Sequence, residues 1–394
     1  MKEAKKVGLA KTIVLKTTMD CNLRCRYCYE FGRNGNTYTG KQIRIEQLES
    51  LIERTARLFP DSQILWMLHG GEPLVNGVAY FQRMADCIRR VNAKTGVRFE
   101  IALQTNATLL TDAWIQALED NADLLSERIV SVSIDGPKEI NDITRLTSRG
   151  GSSYEMTMDA IERLRNSALT FTTISVVGSH NVDKPDEVYR FIRDLKPNFS
   201  KFIPCYNVDS AGRPERYGID PVQYAHFLCR IFDLWLHDLP GREPGDWFVI
   251  DPIATIVSVL TGTFVSWCEY RDEKCDNFMA LYPDGGLWLC DTFDHEDSKM
   301  RDAAYLGNLF ELSDENLTRV FLQPCHACSY DAFYRQSTKN CSACDIRKFC
   351  HGGCIANRAS MGARSEHLTS MHCKAKHILI NHIQRGVALA LSQS

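Results

Sequence analysis

What the chain lacks narrows its class. It has no apolar run long enough to span a bilayer, so it does not read as a membrane protein. Its start, Met1-Lys2-Glu3-Ala4-Lys5-Lys6, has no long apolar core of the kind a secretory signal needs, and the expected compartment is cytoplasmic. It has no basic excess: 46 Lys and Arg stand against 49 Asp and Glu, a formal net charge of −3, which argues against nucleic acid as a partner. Internal repeats and low-complexity tracts are absent. The 394 residues, 44% of them hydrophobic, suffice for one large domain and a smaller one.

What the chain has in plenty is cysteine, 16 in all. In a reducing compartment structural disulfides are disfavoured, so metal binding is the leading reading. The distribution agrees. Cys21, Cys25 and Cys28 form CxxxCxxC near the start, and ten more lie between Cys268 and Cys373. Cys87, Cys205 and Cys229 are isolated and read as small buried hydrophobes. A four-iron cluster normally takes four thiolates; three in one short loop leave one iron open to a small chelating ligand.

From residue 11 strand-like and helical patterns alternate. Strands are expected at Thr12–Leu15, Ile64–Leu68, Phe99–Leu103, Ile129–Ile134, Phe171–Val177 and Lys201–Ile203. Helices are expected at Glu46–Phe59, Tyr80–Val91, Asp112–Leu118, Tyr154–Arg165 and Pro185–Leu195, with two more at Pro221–Leu239 and Ile253–Leu260. Such alternation implies parallel βα units with right-handed crossovers: an α/β fold whose six units make a partial TIM-like barrel. The polar motifs follow strands directly, as ligand sites do in parallel α/β barrels. They are the cysteine loop, His69-Gly70-Gly71-Glu72-Pro73, Gln104-Thr105-Asn106 and Asp135-Gly136-Pro137. Each has a plain alternative: a zinc half-site for CxxC, and turns or satisfied strand residues for the rest. Their convergence on one rim makes coincidence a poor account.

Cys21, Cys25 and Cys28, with Tyr27 before the last, resemble the signature of radical S-adenosylmethionine (SAM) enzymes. The resemblance implies a [4Fe-4S] cluster whose open iron binds SAM and cleaves it to methionine and a 5′-deoxyadenosyl radical. The cofactor then carries the difficult chemistry and the protein supplies position. Further matches imply SAM contacts. Gly70, Gly71 and Glu72 match the GGEP motif, with Glu72 receiving the SAM ammonium. Ser133 and Asp135 match the strand beside the ribose and methionyl part. Arg145 matches a partner of the SAM carboxylate, and Tyr206 a flank of adenine.

In the second cysteine region, Phe278–Leu289 reads as a β-hairpin around Pro283-Asp284-Gly285, which would bring Cys275 and Cys290 together. The order C-x9-G-x4-C, then CxxC-x5-C-x3-C and a last Cys, resembles the SPASM domain. That implies two auxiliary [4Fe-4S] clusters, three in all. Cys268, Cys275, Cys290 and Cys354 would hold one, and Cys341, Cys344, Cys350 and Cys373 the other. Structural zinc is the alternative. Cys325 and Cys328 form an extra CxxC outside both sets. The expected domains are 1–215 for the barrel, 216–265 for connecting helices and 266–394 for the auxiliary region.

The layout, from about residue 11 to 385, resembles two groups alike: anaerobic sulfatase-maturating enzymes, which make formylglycine from Cys or Ser, and SPASM maturases that crosslink ribosomal peptides. His69 before Gly70, Ala107 after Asn106 and Tyr29-Glu30 after Cys28 lean to the crosslinking group, the leading reading. Asp291, after Cys290, leans to the first, where an aspartate here is proposed as the general base; otherwise it caps a turn. The expected partners are a peptide or protein substrate, met by the barrel rim because no stretch is left for a separate leader-binding domain, and an external donor of flavodoxin or ferredoxin type. Less favoured is a dehydrogenase of small alcohols, or an electron carrier without chemistry of its own.

Overall fold

The computed structural model describes residues 10–32, 40–206, 213–239, 248–263, 267–271, 275, 277–292, 302–323, 335, 338–358 and 366–393. Seven parallel strands run in chain order across one sheet: β1 (Ala10–Lys16), β2 (Gln63–His69), β3 (Arg98–Thr105), β4 (Leu125–Ser133), β5 (Thr170–Val177), β6 (Phe199–Pro204) and β7 (Val249–Asp251). Helices α1 (Ile45–Leu58), α2 (Val78–Lys94), α3 (Asp112–Asp120), α4 (Lys138–Thr144), α5 (Tyr154–Arg165), α6 (Pro185–Leu195), α7 (Pro221–Asp238) and α8 (Ile253–Thr261) follow the strands. The expected α/β partial barrel is the observed fold. Every expected strand and helix has its counterpart, with ends that differ by a few residues. Among the described residues no helix is long and apolar enough to cross a membrane.

Local sequence explains these elements. In α1 the buried positions are Leu48, Leu51, Ile52, Thr55 and Ala56, spaced as one helical face. Asp220 caps α7 by accepting from Val222 N at 2.7 Å and Gln223 N at 3.0 Å, and Pro221 opens the first turn, where its missing N–H costs nothing. In β2 burial alternates, with Ile64, Trp66 and Leu68 buried against the helical layer.

The sheet runs on across residue 265. β8 (Phe278–Leu281) pairs in parallel with β1 at Thr12–Leu15. β9 (Gly286–Trp288) and β10 (Tyr305–Asn308) add antiparallel strands beyond it. The order is β10-β9-β8-β1 through to β7, so β10 and β7 are the outermost strands among the described residues. The expected hairpin is present. Gly285 takes φ +89°, and a Cβ there would lie 2.2 Å from Asn308 Oδ1, so the turn needs glycine on both counts. A further helix α9 (Asp314–Leu322) and a long final helix α10 (Glu366–Gln393) have no counterpart among the expected elements. α10 lies along α7, with Gly386 flush against the Phe232 ring and His382 2.6 Å from Asp233.

Candidate functional site

The cysteine loop is fixed by main chain from two sides. Gly71 N and Glu72 N donate to Thr18 O and Asp20 O at 3.1 and 2.8 Å; Arg24 N and Arg26 N donate to Leu146 O and Thr144 O at 2.7 and 2.9 Å. The two glycines serve this approach. A Cβ on Gly71 would lie 2.3 Å from Asp20 O, and one on Gly70 2.9 Å from Lys16 Cβ. Their absence of side chains is therefore needed by the fold as well as fitting the motif. Buried Glu72 accepts from Leu74 N at 3.1 Å, Thr105 Oγ1 at 2.6 Å and Asn106 N at 2.8 Å, tying the ends of β2 and β3 together. A carboxylate has about four acceptor sites, so roughly one remains for a ligand. Burial raises the Glu72 pKa in spite of these bonds. Asn106 extends the tie to the cysteines: its amide donates to Asn22 Oδ1 at 3.0 Å and approaches Cys21 Sγ at 3.7 Å. Burial pushes the Cys21 thiol up to about 12, so it stays a thiol until a metal displaces the proton.

Tyr27, Asp135 and Arg145 form one buried chain. Tyr27 OH donates to Asp135 Oδ2 at 2.7 Å and accepts from Arg145 Nη1 at 2.8 Å. Asp135 Oδ1 accepts from Val176 N at 2.9 Å, and His180 lies 3.6 Å from Oδ2. Burial works against the Asp135 charge, but the His180 contact and Arg145 outweigh it and hold the carboxyl below its ordinary range. Arg145 lies within electrostatic reach of Cys25. Tyr27 and Asp135 thus hold Arg145 beside the loop. Ser133 is half-buried at the end of β4. Tyr206, half-buried after β6, meets Tyr224 edge-on at 6.0 Å and interacts with Glu269 and Lys376, placing it toward the auxiliary region.

A second polar group joins the loop to that region. Lys16 and His69 are register partners at the ends of β1 and β2. The Lys16 side chain is fully buried; its Nζ lies 2.5 Å from Glu30 Oε1, 2.6 Å from Asp291 Oδ1 and 2.6 Å from Tyr282 OH. Tyr29 OH donates to Asp291 Oδ2 at 2.9 Å. Burial alone would lower the Lys16 pKa, but Asp291 and Glu30 overcome it and raise it, so the lysine stays charged. Burial, helped by Lys16, lowers that of His69. Its Nδ1 is buried without a hydrogen-bond partner among the described residues, and one ligating atom each of Glu30, His69 and Asp291 falls within 4.8 Å of the others. Asp291 is therefore paired with a buried lysine among residues from both cysteine regions. Lys16 was missed in the sequence. Glu30 and His69 showed only as departures from a motif.

The two expected quartets are each gathered. Cys354 interacts electrostatically with Cys268 and Cys290, and Cys275 packs on the same apolar cluster as Cys290 and Cys354. Cys341, Cys344, Cys350 and Cys373 line one small cavity, with Arg358 and His377 on its wall. Four thiols brought to one cavity suit either a tetrahedral zinc or an iron–sulfur cluster. Burial pushes the Cys290 thiol up to about 11, which again leaves the thiolate to a bound metal. Cys87, Cys205 and Cys229 are buried, as read. Cys325 and Cys328 lie outside the described residues.

Comparison with known proteins gives a consistent picture. Residues 15–192 match the radical SAM superfamily. The chain is 27% identical over 355 residues to a cysteine-type anaerobic sulfatase-maturating enzyme of Clostridium perfringens strain 13, covering 88% of this chain and 89% of that one. It is 25% identical over 385 residues to a serine-type enzyme of Bacteroides thetaiotaomicron, covering 92% and 86%. The solved structure of native anSMEcpe with bound AdoMet and Cp18Cys peptide superposes with a TM-score of 0.79 at 22% identity, over 97% of this chain and 99% of that one. Streptococcus suis SuiB bound to precursor peptide SuiA reaches 0.58 at 16%, over 89% and 73%. The motif details lean to the crosslinking group, but whole-chain similarity favours the sulfatase-maturating layout.

Proposed function

Because residues 15–192 form a radical SAM domain, which makes the chain a radical SAM enzyme and implies a [4Fe-4S] cluster and SAM, we propose that it is a peptide or protein maturase of the anaerobic sulfatase-maturating type, oxidising a Cys or Ser side chain to formylglycine. When bound, cluster and SAM supply a 5′-deoxyadenosyl radical that abstracts hydrogen from an unactivated carbon. The chain's own residues do the rest. Cys21, Cys25 and Cys28 hold the cluster, and the Tyr27–Asp135 pair orients Arg145 toward the SAM carboxylate. The turn after β2, with the last acceptor site of Glu72, receives the ammonium. Ser133 and Tyr206 line the remainder. Asp291 takes the proton of the substrate thiol or hydroxyl on a carboxylate oxygen; Lys16 and Tyr29 hold that carboxylate in place beforehand. The two quartets are sites for auxiliary clusters, and an external donor of flavodoxin or ferredoxin type supplies reducing electrons.

One observation carries this reading: Asp291, next to Cys290, reaches Lys16 and Tyr29 beside the Cys21–Cys28 loop, so one polar cluster joins both cysteine regions. A second reading has its own support. Glu30 and His69, where this chain departs from the maturase motifs, both face Asp291, and such a changed polar cluster suits crosslinking of a ribosomal peptide. Reconstituted protein incubated with SAM, a reductant and Cys- or Ser-bearing peptides separates these. A hydrazide-trappable aldehyde marks formylglycine; loss of two hydrogens without an aldehyde marks a crosslink. Absence of 5′-deoxyadenosine overturns both.

A further inference from the structure

His372 is a buried imidazole, 2% exposed, on α10 next to Cys373. Neither ring nitrogen has a hydrogen-bond partner among the described residues. Its charged neighbours are Lys376, Glu269 and Arg358, but their bonds go elsewhere. Lys376 Nζ binds Glu269 and Tyr270 OH at 2.7 and 2.8 Å; Arg358 Nη1 donates to Gly352 O at 3.2 Å and reaches Cys373 Sγ at 3.5 Å. A buried imidazole satisfied at neither nitrogen is rare in native interiors and points to a partner that is not protein.

Its surroundings say which partner. Gly353 has φ +71°, and a Cβ there would lie 3.0 Å from His372 Nε2 and 3.9 Å from Cys350 Sγ. No side chain at 353 therefore stands between the imidazole and Cys350, one of the cysteines lining the cavity, while Arg358 approaches the same quartet at Cys373. We propose that His372 donates a ring N–H to a sulfur of the iron–sulfur cluster held by Cys341, Cys344, Cys350 and Cys373, and so raises that cluster's reduction potential. Reduction adds negative charge to the sulfurs, and a hydrogen bond to them stabilises the reduced form more than the oxidised. The inference rests on the reading that this quartet holds a cluster. His372 is a positioning and tuning residue and touches no substrate.

The test uses the full chain carrying Cys21→Ala, Cys25→Ala and Cys28→Ala, so that only the auxiliary clusters remain. Iron content and an EPR-monitored redox titration are read together. Expected in His372→Leu is full iron with one midpoint moved to more negative potential, the same midpoint that Cys344→Ala removes. His372→Gln, which keeps an N–H donor, returns it toward its original value. Unmoved midpoints at full iron overturn the proposal, and so does a shift in the midpoint that survives Cys344→Ala. Should His372→Leu lose iron, His372→Gln decides: regained iron and midpoint support the N–H role, and loss in both variants overturns it. Iron short of two clusters in the unaltered background overturns the cluster reading itself.

Discussion

The two cysteine sites are built by opposite means. The N-terminal loop is held by the barrel: main-chain bonds from the turn after β2 and from the end of α4 fix it on two sides, and Glu72 braces β2 to β3 beneath it. The C-terminal quartets hang on short turns, a one-turn helix at Arg347–Cys350 and the start of α10. There a buried histidine has no hydrogen-bond partner among the described residues, and a cavity stands where the ligands converge. A site made by the barrel keeps its shape empty. A site made by its ligands depends on what they hold, because metal binding is then part of the folding free energy. The difference separates which residues fail through chemistry and which through structure.

The contrast breaks most sharply at the cluster ligands. Cys25→Ala is expected to abolish 5′-deoxyadenosine formation while the circular dichroism of the barrel stays unchanged. Cys344→Ala reverses the pattern: some uncoupled SAM cleavage persists, modified peptide disappears, and hydrogen exchange rises across 341–358 but not in β1–β6. Full product formation in Cys344→Ala refutes the role of the second quartet. Equal loss of exchange protection in both variants removes the contrast itself.

Next in size is the polar cluster that joins the two sites. Asp291→Asn keeps the shape and removes the base, so product formation should fall by about 10²- to 10⁴-fold, the range of general acid–base catalysis, with 5′-deoxyadenosine still formed. An unchanged product rate would return Asp291 to the role of a turn residue. This polar cluster was only half legible in the sequence. Asp291 stood out through its place after Cys290. Lys16 did not, because a lysine closing an apolar strand reads as a chain end turning to solvent. Its partner Tyr282 lies 266 residues away, and only the parallel pairing of β8 with β1 brings it near. Parallel partners distant in sequence leave no local signature. The strand-end motifs and the cysteine spacings were legible because spacing and chemistry sit together in a few residues. α10 was not, since its cysteine and four histidines interrupt the apolar pattern of a helix that continues to Gln393.

Smaller effects test the claim that the barrel builds the first site. Gly71→Ala places a Cβ 2.3 Å from Asp20 O, backbone against backbone with no flexible group to yield. A cost of about 1–3 kcal/mol is expected, the range for overpacking, read as a lowered unfolding midpoint of the protein before iron is added. A quartet glycine gives the control. Gly352 meets only a Thr338 methyl at 3.1 Å but sits at φ +88°, so Gly352→Ala costs backbone strain and should show its effect mainly in iron retention.

Thr105→Val probes the brace under the loop. It removes one of the three donors to Glu72 while keeping the size of the side chain, and about 1 kcal/mol of stability is expected to go with that hydrogen bond. The carboxylate would keep its two main-chain donors, so the cysteine loop should still take up iron and cleave SAM. If SAM cleavage collapses while stability barely changes, Glu72 acts through its remaining acceptor site on the ligand; a stability loss with intact cleavage assigns it to the brace between β2 and β3.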